Sequence, residues 1–337
     1  MNRGTWILLA LLVASLAWAF GATRQGTPTG KETLETVWNV PVGEIKKVDY
    51  RSGETRVTLS VTPRKSGQGN FVWVDGAGLR TAPAPQRKRG RKQEPPAEQP
   101  AQDAFQGGPQ AQRFLEEIAN LQAVRVLGPA KNFKLEDFGL AGENKAQLTV
   151  ERGSGAAPLR LDLGSVSAGN STRYALSSTD NRVYLVRNNS FRGITNVRRF
   201  MDRELFPFPI QEAQRIELQE RGRKVTLYRL EVPPTEAKRW GRTPQDKTGD
   251  PALQEVVNNL LRIKALRYLP DGAPAGTAAP TLTVTVVKGN EPPSTLTLYP
   301  ERQDEVPGVS THTERPVALN TGLVKTLLER ARAALKQ

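Results

Sequence analysis

Alternating apolar and polar positions recur along most of the chain and predict half-buried β-strands joined by tight turns. In residues 45–51 and 55–61, apolar and polar side chains alternate on the two sides of a Ser-Gly turn. Residues 213–219 and 223–232 show the same alternation around an Arg-Gly turn. A period of two is typical of a strand that faces a core on one side and water on the other. Both regions therefore predict antiparallel β-hairpins.

The two hairpins begin two copies of one longer pattern, which predicts an internal duplication. In each copy the hairpin is followed by a tryptophan, an amphipathic helix, further alternating strands and a closing helix. The aligned apolar positions are Val48, Tyr50, Val57 and Leu59 in the first copy and Ile216, Leu218, Val225 and Leu227 in the second. We therefore predict an α+β fold with two tandem, similar lobes, at residues 42–205 and 206–337, each of mostly antiparallel sheet with two helices. Because Trp73 and Trp240 occupy matched positions, we expect core packing, with stacking on sugar rings as the alternative.

Helical spacing of apolar residues predicts four helices in the two copies. The first helix of each copy is marked by Phe114, Ile118 and Leu121 and by Leu253, Val257 and Leu260. Asp250 followed by Pro251 is a start signal, with an N-cap residue before proline at the first helical position. The closing helices are predicted over residues 191–205 and 323–335, the second with Asn320 as its N-cap.

The closing helix predicted over residues 191–205 presents arginines on its outer face. Its apolar stripe comprises Ile194, Val197, Met201 and Leu205. Arg192, Arg199 and Arg203 are then left mostly outside, facing solvent. Guanidinium groups recognise carboxylates and phosphates, so these three arginines are the candidate partner-binding face.

An uncharged apolar run near the N-terminus, residues 6–22, predicts either a membrane anchor or a cleaved signal peptide. As a helix it is about 26 Å long, close to the ~30 Å hydrocarbon core of a bilayer. Its length and its tryptophans near both ends favour an anchor, whereas residues 17–19 form a small-x-small cleavage site. We predict an anchor or signal segment at residues 1–24 and a tether at 25–41. The expected location is the bacterial inner membrane, single-pass, with the C-terminal region outside the cytoplasm.

Residues 79–110 are dense in Pro, Gln, Ala and Gly, and Phe105 is the one large apolar side chain in their later part. Such a segment buries too little apolar surface to offset its ordering entropy, so we predict a disordered insert in the first lobe. Its basic run, residues 87–92, has no interleaved aromatic residue on which bases could stack, and we expect no nucleic-acid binding. A solvated loop and contact with anionic lipid or polymer both remain open for this run.

Composition limits the chemistry of this chain of 337 residues, a length typical of about two domains. The absence of Cys excludes disulfides and thiolate chemistry, and a single His excludes a multi-histidine metal site. The formal net charge of +14 suits anionic partners.

His312 lies close to Ser310 and Glu314, but no serine lies in a G-x-S-x-G turn, so we expect a surface histidine. Carboxylate pairs occur at Glu116 and Glu117, at Asp202 and Glu204, and at Asp304 and Glu305. Nothing in the sequence places two of them across a cleft. We predict no catalytic residue, no cofactor and no metal ligand, and hence a protein that is not an enzyme.

Taken together, the ordered motifs of residues 42–269 resemble the bacterial family called domain of unknown function 4340 (DUF4340). The resemblance rests on the N-terminal apolar run, the strand–strand–Trp–helix units, DFGL at 137–140, and LRLDLG, TRYALSS and VYLV at 159–164, 172–178 and 183–186. It implies an envelope protein encoded beside gliding-motility-type ABC transporter components, and it implies no activity and no site residues. The insert at 79–110 departs from the family pattern.

We therefore expect a membrane-anchored extracytoplasmic accessory or binding protein of the cell envelope. The expected partner is an envelope membrane protein, such as a component of an ABC-type transporter or motility system. The alternative is a protein that binds envelope glycan or anionic lipid in a groove between the lobes. An exported hydrolase is the third hypothesis.

Overall fold

A computed structural model of the chain describes residues 34–64, 69–77, 103–142, 145–153, 155–231, 239–270 and 278–336. The predicted anchor at 1–24, the first part of the predicted tether and most of the predicted insert lie outside these described residues. Among the helices that the structure describes, none combines the length and the apolar character needed to cross a membrane.

The N-terminal half of the described chain forms one antiparallel sheet of ten strands. The strands are β1 (Glu35–Asn39), β2 (Ile45–Ser52), β3 (Thr55–Pro63), β4 (Asn70–Ala77), β5 (Asp103–Gln106), β6 (Asn120–Pro129), β7 (Ala146–Arg152), β8 (Leu159–Val166), β9 (Thr172–Ser177) and β10 (Arg182–Arg187). Their order across the sheet is β1-β6-β10-β9-β8-β7-β2-β3-β4-β5. The edges of this sheet are therefore β1 and β5.

The C-terminal half forms a second antiparallel sheet of eight strands. They are β11 (Arg215–Glu220), β12 (Arg223–Arg229), β13 (Trp240–Gly241), β14 (Ala265–Tyr268), β15 (Leu282–Val287), β16 (Ser294–Leu298), β17 (Glu305–Ser310) and β18 (Val317–Asn320). Their order is β13-β12-β11-β15-β16-β17-β18-β14. The prediction of a mostly antiparallel α+β fold is thereby confirmed, with two sheets and few helices.

In the described part of the chain, four α-helices accompany the sheets: α1 (Pro109–Ala119), α2 (Asn189–Arg192), α3 (Pro251–Arg262) and α4 (Thr321–Lys336). The predicted N-caps of α3 and α4 are present. The Asp250 side chain accepts a hydrogen bond from the Ala252 amide at 2.8 Å, and Pro251 occupies the first turn. Asn320 Oδ1 accepts from the Leu323 amide at 3.0 Å. Each cap satisfies a backbone donor that the helix itself cannot pair.

The two sheets share one strand order when their strands are matched in chain order. Matching β2–β4 with β11–β13, β6 with β14, and β7–β10 with β15–β18 gives the same sequence of neighbours in both sheets. The registers also correspond, since Val48 lies opposite Leu59 in one hairpin and Ile216 lies opposite Leu227 in the other. All four of these side chains are fully buried. Strands β1 and β5 have no counterpart strand in the eight-stranded sheet.

The expectation that Trp73 and Trp240 occupy matched positions is wrong, because the two positions differ by one residue along the neighbouring strand. Trp73 lies opposite Ser60, whereas Trp240 lies opposite Arg229, the counterpart of Val61. Successive side chains of a strand point to opposite faces, and a shift of one residue therefore changes the face. Trp240 is in the core at 2% exposure, while Trp73 is half-buried at its margin.

The single closing helix predicted over residues 191–205 is wrong. Helix α2 ends at Arg192 and is followed by a 3-10 helix, Gly193–Phe200, which contains a non-helical residue, Asn196. The buried side chains are Ile194, Val197 and Phe200. Asn196 kinks the segment between Ile194 and Val197, whereas Val197 and Phe200 lie three residues apart, which is the repeat of a 3-10 helix.

Two predicted loops contain edge strands. Strand β1 lies within the predicted tether at 25–41, and its Trp38 is 6% exposed and donates from Nε1 to the Ile118 carbonyl at 2.7 Å. Strand β5 lies within the predicted insert at 79–110, and its Phe105 is 3% exposed. Both predictions fail there because a few apolar residues suffice for a strand when an existing sheet edge supplies the backbone partners.

The DFGL motif packs against the sheet through two glycines. Gly139 adopts a left-handed conformation at φ 64°, and Leu140 beside it is 1% exposed. A Cβ on Gly164 would lie 2.2 Å from the Phe138 carbonyl oxygen, and one on Gly139 would lie 2.4 Å from Ser165 Oγ. The close approach of these two segments therefore requires glycine on both sides.

Candidate functional site

The three arginines predicted as one partner-binding face do not lie on one continuous helix. Arg199 is exposed on the 3-10 helix, and Arg203 is exposed in the extended segment that follows. The backbone of Arg192 ends α2, and its side chain lies outside the described part of the structure. The break in the predicted helix thus separates Arg203 from the others and directs it to the junction between the sheets.

The chain crosses from the first sheet to the second through residues 201–205, which we call the connector. Met201 forms an isolated β-bridge with Gly107. The Asp202 amide donates to the Gln106 carbonyl at 2.8 Å, and the Arg203 carbonyl accepts from the Ala265 amide at 3.0 Å. The connector is therefore bonded to β5 on one side and to β14 on the other. We call the junction of β5, the connector, β14 and the β17–β18 turn the seam.

Asp202 supplies a buried carboxylate to the seam. Its carboxylate is 7% exposed, lies 3.0 Å from His312 Nε2 and accepts a hydrogen bond from the Glu204 amide at 3.0 Å. The Tyr268 hydroxyl donates to the Asp202 backbone carbonyl at 3.0 Å. Burial first, and the charge of Asp202 second, raise the pKa of the Tyr268 phenol far above its usual value. The Tyr268 hydroxyl therefore stays protonated, and a hydrogen-bond donor, at neutral pH.

The first sheet contributes two further polar side chains to the seam. Gln106 is fully buried, and with its side-chain amide assigned to the orientation that satisfies both of its atoms, the nitrogen donates to the carbonyl oxygens of Thr313 and His312 at 2.9 and 3.3 Å. Its amide oxygen accepts from Arg64 Nη2 at 3.2 Å. Arg64 Nη1 also donates to the His312 carbonyl at 3.2 Å. The β17–β18 turn is therefore held by side chains of the other sheet.

The expectation of a surface histidine is wrong, because the His312 side chain is only 11% exposed. The neighbouring Ser310 does not face it as a nucleophile. Ser310 Oγ donates to the Leu205 carbonyl at 2.5 Å and accepts from the His312 amide at 2.9 Å. These bonds shape the turn and connect it to the connector, so the Ser–His proximity in the sequence has a structural role.

A pocket of about 520 Å³ opens beside the seam, between β5, the connector and β14. Four arginines from separate segments line it: Arg198, Arg203, Arg267 and Arg315. Its apolar part includes Phe105 and Leu266. Leu266 is 44% exposed, which is unusual for a large apolar side chain in this chain. We call this cavity the seam pocket.

Aromatic contacts hold one of these arginines in place. The Arg315 guanidinium carbon lies 3.8 Å from the centroid of the Trp73 ring. Trp73 in turn meets Tyr268 in an edge-to-face contact with the centroids 5.8 Å apart. Arg315 thus covers one face of the Trp73 ring, and Trp240 is buried. The two tryptophans therefore expose less ring surface for stacking on a sugar than the sequence-based alternative requires.

The described lining of the seam pocket is rich in arginine, and some of these side chains have partners outside the lining. Arg267 is paired with Glu305 at 2.6 Å, and Arg203 pairs with no carboxylate among the described residues. The lining includes four arginines and, within the described chain, no acidic side chain. Guanidinium groups keep their charge at all accessible pH values, so they bind anions and do not transfer protons.

Sequence reasoning identified Arg203 but missed the other arginines of the seam pocket. Arg198, Arg267 and Arg315 lie in three segments far apart in the sequence, and no local pattern relates them. Members of two carboxylate pairs noted in the sequence make structural contacts. Asp202 is bonded to His312 within the seam, and Glu305 forms an ion pair with Arg267. In the part of the chain that the structure describes, no group of three or more His, Asp or Glu side chains could hold a metal ion.

Comparison with known proteins gives a family but no close relative. No curated protein matches the chain, and no solved structure matches it. The model of the family described as Domain of unknown function (DUF4340) matches residues 108–281, just over half of the 337 residues. This segment runs from the residue before α1 to the residue before β15 and includes the connector and β14. The chain therefore belongs to the DUF4340 family.

Proposed function

We propose that this protein is a non-enzymatic, membrane-anchored accessory protein of the bacterial cell envelope, which binds a partner at the seam pocket. The partner is a membrane protein of an ABC-type transporter or motility system. The observation that carries the proposal is the seam pocket itself, where four arginines surround an exposed leucine beside a rigid polar junction. Positive charge around an apolar centre is typical of a binding surface.

We infer that the two sheets are copies of one ancestral unit. The shared strand order and register support this inference. The seam pocket lies where the correspondence ends, because β5 has no counterpart in the second sheet and forms one wall of the pocket. A departure from a repeated pattern at one location is consistent with a specialised role for that location.

The proposed anchor keeps the first sheet near the membrane, to which it would be joined through β1. Because β1 begins at Glu35, the tether between the predicted anchor at 1–24 and the first sheet has about ten residues. Fully extended, ten residues span at most about 35 Å. The sheets therefore remain within reach of membrane proteins, where a tethered surface has a high effective concentration.

Binding of an anionic envelope lipid is the second candidate function. The arginine lining of the seam pocket favours it over binding of a neutral glycan. The two candidates differ in whether a protein or a headgroup contacts Arg203.

Charge reversal tests the proposal in cells. Full-length wild-type protein, Arg203→Glu and Arg199→Glu are each cross-linked in intact cells and purified with their bound proteins. Arg199 is the matched control, because it is exposed on the preceding helix and does not line the seam pocket. We expect wild type and Arg199→Glu to recover the same membrane protein and Arg203→Glu to lose it. Equal recovery from all three proteins contradicts docking at this site, and turnover of an envelope polymer by the purified protein contradicts the non-enzymatic role.

A further inference from the structure

We infer that a second pocket, at the C-terminal end of α3, binds a tryptophan residue of a partner polypeptide. The pocket has a volume of about 390 Å³ and lies between residues 204–211 and residues 260–264, and we call it the α3 pocket. Its described lining shares no residue with that of the seam pocket. The site is therefore separate from the docking site proposed above, and the matched location in the first lobe indicates its occupant.

The described lining of the α3 pocket is mostly apolar. Its buried members are Leu205, Phe206, Phe208, Ile210, Leu260 and Ile263. The charged side chains in this lining, Glu204 and Lys264, form an ion pair with each other. Because these two charges balance, the lining favours a neutral and largely apolar occupant over an ion.

The segments around the α3 pocket are the counterparts of β1 and of the end of α1. A 3-10 helix follows a proline in both lobes, at Val42–Glu44 and at Ile210–Glu212. Counted back from these helices, the matched pairs are Trp38 with Phe206 and Val40 with Phe208. Helices α1 and α3 both have proline at their first position, and the same count along them matches Ile118 with Leu260 and Ala119 with Leu261.

In the first lobe, two N–H groups close the space between these segments. The Trp38 indole donates from Nε1 to the Ile118 carbonyl at 2.7 Å. The Val40 amide donates to the Ala119 carbonyl at 2.8 Å. The last carbonyl groups of a helix have no partner within the helix, so these two donors satisfy the C-terminal end of α1.

In the second lobe, neither of these bonds is formed. Phe206 has no N–H group in its side chain and cannot replace the indole of Trp38. Among the described residues, no donor pairs with the Leu261 carbonyl and no acceptor pairs with the Phe208 amide. Both residues line the α3 pocket. The pocket therefore combines an apolar cavity with one backbone acceptor and one backbone donor that the described chain leaves unpaired.

A tryptophan residue supplies what the second lobe lacks. Its ring has a large apolar surface for the cavity, and its indole N–H group is the donor that Trp38 provides in the first lobe. Its backbone adds a second N–H group and a carbonyl oxygen, which can pair with Leu261 and Phe208. Unpaired polar groups beside an apolar cavity make binding selective for an occupant that pairs them.

Fluorine NMR titration with the purified full-length protein tests the inference. The probes are N-acetyl-5-fluoro-L-tryptophanamide, which has the ring and two amide groups, and 5-fluoro-3-methylindole, which has the ring alone. We expect saturable binding of the tryptophan amide. The methylindole is expected to bind about tenfold more weakly, because it cannot pair with the Phe208 amide and the Leu261 carbonyl together.

Two variants fill the α3 pocket from within the chain. Phe206→Trp restores the residue of the first lobe, and Leu261→Trp enlarges a half-buried side chain of the lining. Both are expected to abolish binding of the tryptophan amide, with circular dichroism to verify that the fold is retained. Leu266→Ala is the control, because it changes the seam pocket and should leave the binding unchanged.

Absence of saturable binding to wild type overturns the inference, as does equal binding of the two probes. Undiminished binding in a folded Phe206→Trp or Leu261→Trp protein, or an equal loss in Leu266→Ala, also overturns it. Loss of the cross-linked membrane protein in Arg203→Glu concerns the seam pocket alone. The two sites can therefore fail separately.

Discussion

His312 Nε2 lies 3.0 Å from Asp202 Oδ2, and this contact joins residues 110 positions apart in the sequence. Asp202 belongs to the connector, and His312 belongs to the β17–β18 turn, whose carbonyl groups accept hydrogen bonds from Gln106 and Arg64 of the first sheet. Buried polar groups require specific partners at specific distances, so such a junction favours one arrangement of the two sheets. These contacts therefore hold the walls of the seam pocket in place without a bound partner.

The Asp202–His312 contact is expected to contribute to the free energy of unfolding. Asp202→Ala and His312→Ala each leave a buried polar group without its partner, which costs about 1–3 kcal/mol. The double variant is expected to be less destabilised than the sum of the two, with a coupling energy of about 0.5–3 kcal/mol. Urea unfolding of the four proteins measures both quantities. Glu329→Ala, on the exposed face of α4, is the control and should have little effect. Strict additivity of the two substitutions contradicts a direct contact.

The close packing of the DFGL segment on β8 predicts strong sensitivity to one added methyl group. In Gly164→Ala, the new Cβ would lie 2.2 Å from the Phe138 carbonyl oxygen, so the backbone must shift. We expect a loss of about 3 kcal/mol in the free energy of unfolding. Gly43→Ala is the matched control, because a Cβ there meets nothing within 4 Å. Thermal denaturation of both variants checks the prediction, and equal melting temperatures would show that the two segments do not approach this closely.

The buried Asp49 carboxylate is expected to contribute to the free energy of unfolding at neutral pH and to lose this contribution in acid. The carboxylate is 5% exposed and accepts hydrogen bonds from Arg56 at 2.7 Å and Arg51 at 3.3 Å. Burial alone raises the pKa of Asp49, but the hydrogen bonds from Arg56 and Arg51 outweigh it and hold the pKa below its ordinary value of 3.8. Below that value the unfolded chain binds more protons than the folded one, so this contribution to stability is present above pH 3.8 and is lost as the pH falls through the native pKa.

The test compares Asp49→Asn with wild type in urea unfolding between pH 2.5 and pH 6. Asp49→Asn is expected to be less stable at pH 6 and to lose less stability on acidification. Asp137→Asn, at an exposed position, is expected to follow the wild-type profile. A parallel profile for Asp49→Asn and wild type contradicts the prediction.

Because β5 is packed on the sheet, two changes within the segment 79–110 are expected to differ strongly in their cost to stability. Phe105 is 3% exposed, so Phe105→Ala is expected to cost about 3–5 kcal/mol in the free energy of unfolding. Deletion of residues 79–100, which contain few apolar side chains, is expected to cost less than about 1 kcal/mol. Differential scanning calorimetry of the two variants measures the contrast. A deletion as damaging as Phe105→Ala would show that these residues pack against the sheets.

The sequence predicts those parts of the fold that depend on local pattern. The hairpins β2–β3 and β11–β12 each join neighbouring strands through a short turn, so the alternation of apolar side chains identifies strand and partner together. The caps at Asp250 and Asn320 are equally local. The edge strands β1 and β5 are five and four residues long, too short for a periodic signal.

The candidate site was predictable only in part, because it is assembled by tertiary contacts. Arg203 was identified, but on a predicted helix that is interrupted at Asn196 and ends at Phe200, before Arg203 is reached. Arg315 approaches Trp73 only because the two sheets meet at the seam. The sequence contains no sign of that meeting, as the polar groups that hold it lie in separate segments.

Site-specific photo-cross-linking in intact cells tests most directly the claim that this protein binds its envelope partner at the seam pocket. The photoreactive residue p-benzoylphenylalanine replaces Leu266 in the pocket or Val166 at the end of β8. These two apolar side chains are 44% and 41% exposed and form a matched pair. We expect position 266 alone to yield an adduct, with an envelope membrane protein identified by mass spectrometry, and Arg203→Glu to abolish it. Equal adducts from both positions, an adduct from position 166 alone, or none from either would contradict the claim.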